Sequence, residues 1–371
     1  MKVETANAMA QSRCVEPPKP FDERLGALRK LPGIWINSNK GEPAGWNAIA
    51  LPFFSGGRSS YRLLVNHYRE ALQFDVADPA VPNRGVLANQ PGSENVTQLL
   101  AALDYQQLIQ QVATEDFPQS GLAQDPDAFI HHEPGLLLHM KNETTEGINI
   151  ARLGTIPHGD ALLAMGRYDP GASELELEDG NPPEIGRVNG LPEGVFTTDP
   201  ITPPVGPISA SPPLSGYLTP YTHFFNTPFR GTVPASALSF PGFDPSHPEV
   251  LLNLARSSMS NVKNITTLTF TTSATEDAGI RNIPFIVKQA NATSMVSTFW
   301  IMELDEEGVD GEPKLVMQYL QVVMLDFIPR FDGIPGLIGW PHISINTLEK
   351  VKNVDKHTPV LTAETFSDLY Q

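Results

Sequence analysis

The stretch of sequence that decides the fold runs from Ile130 to Gly166 and reads IHHEPGLLLHMKNETTEGINIARLGTIPHGDALLAMG. A predicted strand over 128–140 is followed by the polar turn KNETTE and by a second strand over 147–158. Gly159 then leads into DALLAMG, a third strand. Consecutive strands joined by short polar turns pair in the antiparallel sense, so this stretch predicts an antiparallel β-sheet.

The turn also predicts a register and a shared face. Pairing about KNETTE places residue 140 near residue 147, which puts His131 beside Ile156 and diagonal to His158. Side chains alternate between the two faces of a strand, so these three residues are expected to share one face. We expect that face to form one wall of a cavity.

The same stretch carries four of the nine histidines of the chain, which raises the question of a metal-binding hairpin. His131 and His139 lie about 26 Å apart along a strand and cannot bind the same ion. His131 and His132 point to opposite faces. His131 and His158 can approach each other, but two neutral imidazoles without a third ligand are usually satisfied by backbone groups or water. The hairpin alone therefore does not predict a zinc site.

Two further polar features of this stretch have open roles. Glu133 follows His131 by two residues and could act as an acid or base in a cleft. It could equally be a buried carboxylate that ties a loop to the sheet. The segment His158-Gly159-Asp160 is either catalytic or a tight bend at the end of a strand.

The rest of the chain favours an all-β fold. Proline (35 residues) and glycine (29) are abundant and only 18% of the residues are charged, which favours a loop-rich β architecture over helical bundles. The sequence shows neither a repeat nor an alternation of strands with helices. We therefore predict an antiparallel β-barrel or sandwich with long proline-rich loop insertions and a few short helices.

A single domain is predicted between two terminal segments. Residues 1–30 are interpreted as an N-terminal arm with a short helix, and 352–371 as a C-terminal tail, with a helix there as the alternative. The β-barrel domain spans 31–351 and contains two long insertions, at about 77–97 and 170–248. Aromatic residues recur in the second insertion, so we expect its second half to pack against the main body.

Charge and cysteine content exclude several classes of function. The formal net charge of −17 repels phosphate backbones and anionic lipids, so neither nucleic acid nor a membrane is expected as a partner. Cys14 is the single cysteine and cannot form an internal disulfide or a thiolate metal cluster. The N-terminus lacks the apolar core of a signal peptide, and no apolar run approaches the roughly 20 residues that span a bilayer. These features predict a cytoplasmic protein and leave its oligomeric state open.

Motifs of several common enzyme classes are missing from the sequence. There is no G-x-S-x-G elbow for nucleophilic catalysis, and there is neither a Walker nor a G-x-G-x-x-G phosphate loop. His342 follows Trp340-Pro341 near the last predicted strand. By composition alone, it would be interpreted as a capping or core histidine.

A family resemblance emerges when short motifs are compared in order across residues 33–350. The sequence resembles the nitrobindins, a family of small heme-binding β-barrels related in architecture to fatty-acid-binding proteins and lipocalins. The motifs that carry the resemblance are Gly33-Ile34-Trp35, Pro52-Phe53, Tyr68 to Phe74, Leu103-Asp104-Tyr105-Gln106-Gln107, His131-His132-Glu133-Pro134-Gly135, Ala151 to Gly159, Leu315 to Val323 and Pro341-His342-Ile343.

This resemblance implies an antiparallel barrel of about ten strands around a largely apolar cavity, with heme b at its mouth. It implies that His342 is the axial ligand of the heme iron, and that His131 and Ile156 line the other side of the pocket, with His158 shaping the cavity. The implied small-molecule ligands are NO, peroxide and peroxynitrite, and the implied activity is peroxidase-like or peroxynitrite isomerase-like.

Two other functions stay open at this point. A heme-free carrier of a hydrophobic small molecule or fatty acid would use the same architecture, with the aromatic-rich insertion as a lid. A heme enzyme acting on an organic substrate would use the insertions to build a second pocket.

Overall fold

The computed structural model describes residues 21–37, 45–55, 58–85, 96–123, 125–142, 147–156, 160–193, 218–273, 280–281, 291–330, 335–355 and 357–370. Thirteen strands lie in this part of the chain: β1 Gly33–Asn37, β2 Gly45–Ser55, β3 Arg58–Gly85, β4 Val96–Phe117, β5 Phe129–Met140, β6 Ile150–Ile156, β7 Asp160–Gly166, β8 Glu174–Glu176, β9 Val262–Thr271, β10 Ile280–Arg281, β11 Asn291–Glu307, β12 Pro313–Pro329 and β13 Leu337–Lys352.

Helices are short and make a small contribution to the fold. Strands account for 56% of the structure and helices for 14%, and the strands pair in the antiparallel sense, which confirms the all-β prediction. The described helices are the 3₁₀ segments Glu23–Leu28 and Val309–Gly311 and the α-helices Pro170–Ser173, Thr219–Asn226, Glu249–Ser257 and Ala363–Leu369.

Ten of the strands form a ring in the order β7-β6-β5-β4-β3-β1-β13-β12-β11-β9. Strand β2 occupies the same position in the ring as β1, because both strands pair with β3 and with β13. The ring closes between β7 and β9, where Met165 is opposite Thr271. A Cβ atom at Gly166 would collide with the backbone oxygen of Thr269, so glycine allows the two strands to approach there.

Alternation along the strands separates an inner face of the ring from an outer face. On β2, Asn47 lies on the inner face, where its side chain meets that of Asn66 on β3. Trp46 lies on the outer face, where its ring stacks on His67 with centroids 4.1 Å apart. Both faces are buried, because the second insertion covers the outer face of β2 and β3.

Aromatic side chains of the second insertion form this cover. Phe229, Phe240 and Phe243 contact the Trp46 ring at centroid distances of 5.9, 5.7 and 6.0 Å. All three belong to the main hydrophobic core. The expectation that the second half of the 170–248 insertion packs against the main body is therefore confirmed, while 194–217 lie outside the described residues.

Two local predictions were wrong. Residues 77–85, predicted as loop, continue β3, because bulges leave Ala77, Pro79 and Ala80 out of the pairing with β4. The β5–β6 register differs from the predicted one by two residues, since His139 pairs with Ile150. In the C-terminal segment, where both a tail and a helix were open, the structure has the helix Ala363–Leu369, whose Phe366 is buried.

The predicted N-terminal helix is a 3₁₀ helix that packs against β3, β4 and β5. Leu25 and Leu28 are fully buried. The backbone N–H of Ala27 donates to Nδ1 of His139 over 3.2 Å. Residues 1–20 of the predicted arm lie outside the described residues. His139 therefore has a structural role at the end of β5 that is remote from His131.

Gly26 is the position in this helix that tolerates change least. It has a φ of 57°, in the left-handed region, and an added Cβ atom would overlap the His139 ring. We expect Gly26→Ala to lower the free energy of unfolding by about 1–3 kcal/mol, because backbone strain adds to the steric overlap. Urea denaturation followed by circular dichroism measures this loss. Gly121→Ala is the matched control, since Gly121 has a φ of 69° and open space around its Cβ position; equal losses in the two variants would contradict the role of His139.

Candidate functional site

His131 and His342 line the same half-open cavity, which encloses 220 Å³ on the inner face of the ring. We call it the histidine cavity. His131 lies on β5 and His342 on β13, and β4, β3 and β2 separate these strands in the sheet. The side chains reach one cavity because both residues occupy inward positions, opposite Ile109 on β4 and Val323 on β12.

The aliphatic part of the cavity wall is Ile49, Leu51, Leu64, Leu122 and Ile130. These residues come from β2, β3, β5 and the loop before β5. Ile49, Leu51 and Leu64 alternate with outward-facing residues on β2 and β3, so these two strands present apolar side chains to the cavity.

Polar side chains form the rest of the cavity wall. Arg62 forms an ion pair with Asp116 over 2.7 Å, and both side chains are buried. The charge of Arg62 is therefore compensated within the wall. Asn66 donates to Asn47 over 2.7 Å, whereas its own Oδ1 is buried and has no hydrogen-bond partner among the described residues. An unpartnered buried acceptor is costly, so this oxygen is suited to receive a donor from a bound molecule.

A buried ion pair lies directly behind His131. Nε2 of His131 is 3.3 Å from Oε2 of Glu133, while Oε1 of Glu133 accepts from Arg152 over 2.9 Å. The Tyr105 hydroxyl donates to the same Oε1. Burial alone would raise the pKa of Glu133, but Arg152 and His131 outweigh it and hold this pKa at about 2. Glu133 is therefore an anion that both Arg152 and His131 contact.

A second buried carboxyl, Glu70, lies on β3. It accepts hydrogen bonds from Gln107 (2.7 Å), Tyr319 (2.6 Å) and Asn346 (2.7 Å), all of which are neutral. Burial raises the pKa of Glu70, and these three hydrogen bonds oppose that rise. We call Glu70, Tyr105, Gln107, Glu133, Arg152 and Tyr319 the buried polar network.

The structure brings two of the four predicted site residues together. His131 and His342 share the cavity, whereas Ile156 is the last residue of β6 and its side chain lies outside the described part. His158 also lies outside the described residues. Sequence reasoning missed Asn66, Glu70 and Arg152. A charged residue at an inward position of an apolar strand, such as Arg152 in INIARLG, is the signal that could have found one of them.

Other features of the described residues bear on metals and membranes. They contain no group of three or more histidine, cysteine, aspartate or glutamate side chains arranged around a metal site. None of their helices has the length and hydrophobicity needed to cross a bilayer. His67, on the outer face of the ring, is buried against Trp46, and burial lowers its pKa to about 4.

Comparisons with known proteins give little support to any function. No family model matches the chain, and no curated protein is significantly similar to it. Among solved structures, the crystal structure of Rv2717c from M. tuberculosis aligns with 88% of this chain and 96% of its own. The sequence identity is 12% and the TM-score is 0.30, so this similarity is too weak to support an inference.

Proposed function

We propose that this chain is a heme-binding protein with a nitrobindin-like β-barrel, in which His342 ligates the iron and a small ligand binds on the side of His131. The observation that carries the proposal is the position of these two histidines on one half-open cavity at the inner face of a ten-stranded ring. Histidine is a common protein ligand of heme iron, and one such ligand is sufficient.

The side chains around the cavity fit a heme that is held at its mouth. Five aliphatic residues provide apolar contact, and the buried Arg62–Asp116 pair leaves no net charge in that part of the wall. The enclosed 220 Å³ is less than the roughly 300–1,000 Å³ of pockets that surround drug-sized ligands. This volume suits a small ligand and part of a macrocycle, with the rest of the macrocycle outside the enclosed space.

When bound, heme supplies an iron centre that takes small ligands such as NO and peroxide. The residues of the chain have separate tasks in this proposal. His342 holds the group, and the aliphatic wall excludes water from its apolar surface. Asn66 and His131 are the polar groups that can hydrogen bond to a small ligand in the cavity.

The buried polar network argues against the alternative of a fatty-acid carrier. A long acyl chain needs an extended apolar cavity, whereas the ring interior beside the histidine cavity holds Glu70, Glu133 and Arg152. The void that Arg152 lines together with Tyr105, Gln107 and Tyr319 measures about 10 Å³, which is close to the space of one water molecule. An acyl chain longer than the histidine cavity would therefore displace buried charged groups.

Absorption spectra of the full-length chain mixed with hemin test the proposal. We expect the wild type to give a shifted Soret band with one heme per chain, and His342→Ala to lose that band, because the iron loses its protein ligand. His357→Ala is the control, since His357 is exposed and is not part of the cavity wall, and it should load normally. No Soret shift in the wild type, or the same shift in His342→Ala, would overturn the proposal.

A further inference from the structure

The hydrogen bond between His131 and Glu133 fixes which nitrogen of the imidazole carries a proton. A neutral histidine has one N–H donor and one acceptor nitrogen, and a carboxylate partner selects the donor. Nε2 of His131 faces the Glu133 carboxylate, so Nε2 carries the proton and Nδ1 keeps a lone pair. His131 lines the histidine cavity and is thus a proton acceptor on the wall of a ligand site.

Glu133 is held too firmly to follow a moving imidazole. Its Oε1 is bonded to both Arg152 and Tyr105, and the Arg152 guanidinium is bonded in turn to Ser297 (2.8 Å) and Gln321 (2.7 Å). These hydrogen bonds hold the Glu133 carboxylate in a fixed position before a ligand binds. A base that is oriented by a fixed carboxylate is the arrangement that general acid–base catalysis uses.

The charged groups near His131 come from its own strand and from the buried polar network. Its own strand contributes Glu133, and the network adds Glu70 on β3 and Arg152 on β6. The other titratable or charged side chains on the cavity are Arg62, paired with Asp116, and His342.

Asn66 identifies the kind of ligand that fits between these groups. Its buried Oδ1 has no hydrogen-bond partner in the described part of the chain and lies on a residue of the cavity wall. Like Nδ1 of His131, it is an acceptor. Two acceptors on one cavity select a molecule that brings protons, such as a hydroperoxide, over an aprotic one.

We propose that His131 and Glu133 form an acid–base pair that removes a proton from a small protic ligand of the hydroperoxide class in the histidine cavity. The O–H bond of the ligand breaks, an N–H bond forms at Nδ1, and the ligand remains as an anion; no electron is transferred. Glu133 stabilises the resulting imidazolium. This inference rests on the proposed function, since it assumes that a small ligand occupies the same cavity.

Nitrogen-15 NMR of the full chain without heme tests the orientation of the pair directly. We expect the His131 imidazole to carry its proton on Nε2, and His131→Asn assigns the signal by removing it. A proton on Nδ1 would overturn the inference. This measurement does not depend on heme, so it separates a failure of the acid–base pair from a failure of heme binding.

The rate of cyanide binding to the hemin-loaded chain tests the proton transfer. Hydrogen cyanide must lose its proton to bind as an anion, so we expect His131→Asn to slow its association roughly 10²-fold. His132→Asn, which changes an exposed neighbour on the same strand, should leave the rate unchanged. Carbon monoxide brings no proton, and its association with the reduced protein should be equal in wild type and His131→Asn. Equal cyanide rates, or equal slowing of both ligands, would overturn the inference even if the heme proposal holds.

Discussion

Replacement of Arg152 by methionine is expected to lower the free energy of unfolding by about 3–5 kcal/mol, the usual loss when one partner of a buried ion pair is removed. The reason is that Glu133 remains fully buried after its guanidinium partner is gone. The variant also removes the Arg152 donors to Ser297 and Gln321. Urea denaturation monitored by far-UV circular dichroism measures the loss.

Two further variants distinguish charge burial from a general loss of packing. In Arg152→Met/Glu133→Gln no unpaired carboxylate remains, so we expect the double variant to be more stable than Arg152→Met alone. Lys263→Met removes an exposed ion pair with Asp305 and should leave the free energy of unfolding nearly unchanged. An Arg152→Met loss no larger than that of Lys263→Met would refute the assignment of a buried ion pair.

Replacement of Glu70 by leucine should also lower the free energy of unfolding by several kcal/mol, but for a different reason from Arg152→Met. Leucine cannot accept the hydrogen bonds that Gln107, Tyr319 and Asn346 donate to the carboxyl. Each buried donor left without an acceptor costs about 1–3 kcal/mol, so we expect a total loss of roughly 3–9 kcal/mol for the three donors. Denaturation in urea again provides the measurement, and a loss below about 1 kcal/mol would contradict the hydrogen bonding described for Glu70.

Comparison of the wild type with Glu70→Gln adds a pH dependence to this test. Burial raises the pKa of Glu70 above its ordinary value of 4.5, so the folded state holds this proton more tightly than the unfolded chain. The stability that Glu70 contributes is therefore fully present below about pH 4.5 and is lost as the pH rises through the folded-state pKa. Glutamine does not titrate, so stability relative to Glu70→Gln should fall with rising pH over that window. A difference that stays constant would contradict the raised pKa.

The sequence was most informative where strand alternation and turns were regular. Residues 130–166 predicted three antiparallel strands, and β5, β6 and β7 lie there. The register of β5 and β6 was nevertheless wrong by two residues. A shift of two residues keeps every side chain on the same face, so the hydrophobic pattern cannot distinguish the two registers.

Prolines were the main source of error in the strands. The segment 77–85 contains Pro79 and Pro82, which indicated a loop. In the structure, bulges remove Pro79 from the ladder and allow β3 to continue to Gly85. The position of a bulge depends on how the strand pairs with its neighbour. The residues around Pro79 alone do not show that pairing.

Long-range neighbours of the site could not be derived from local sequence. His131 and His342 were singled out by a family resemblance, and their common cavity depends on how β5 and β13 are placed in the ring. Arg152 stands at an inward position of an apolar strand, which marks it as unusual, but the local sequence does not show which groups compensate its charge or that of Glu70. Their partners lie on other strands, such as Tyr319 on β12 for Glu70 and Ser297 on β11 for Arg152.

The closure of the ring at Gly166 has a consequence for motion. In the described residues, β7 and β9 are joined by the Met165–Thr271 pairing, whereas β11 and β12 pair over most of their lengths. Local opening follows the boundary that breaks the fewest interactions. Among the described boundaries of the ring, β7–β9 therefore has the least pairing to lose, and we expect local opening of the sheet to begin there.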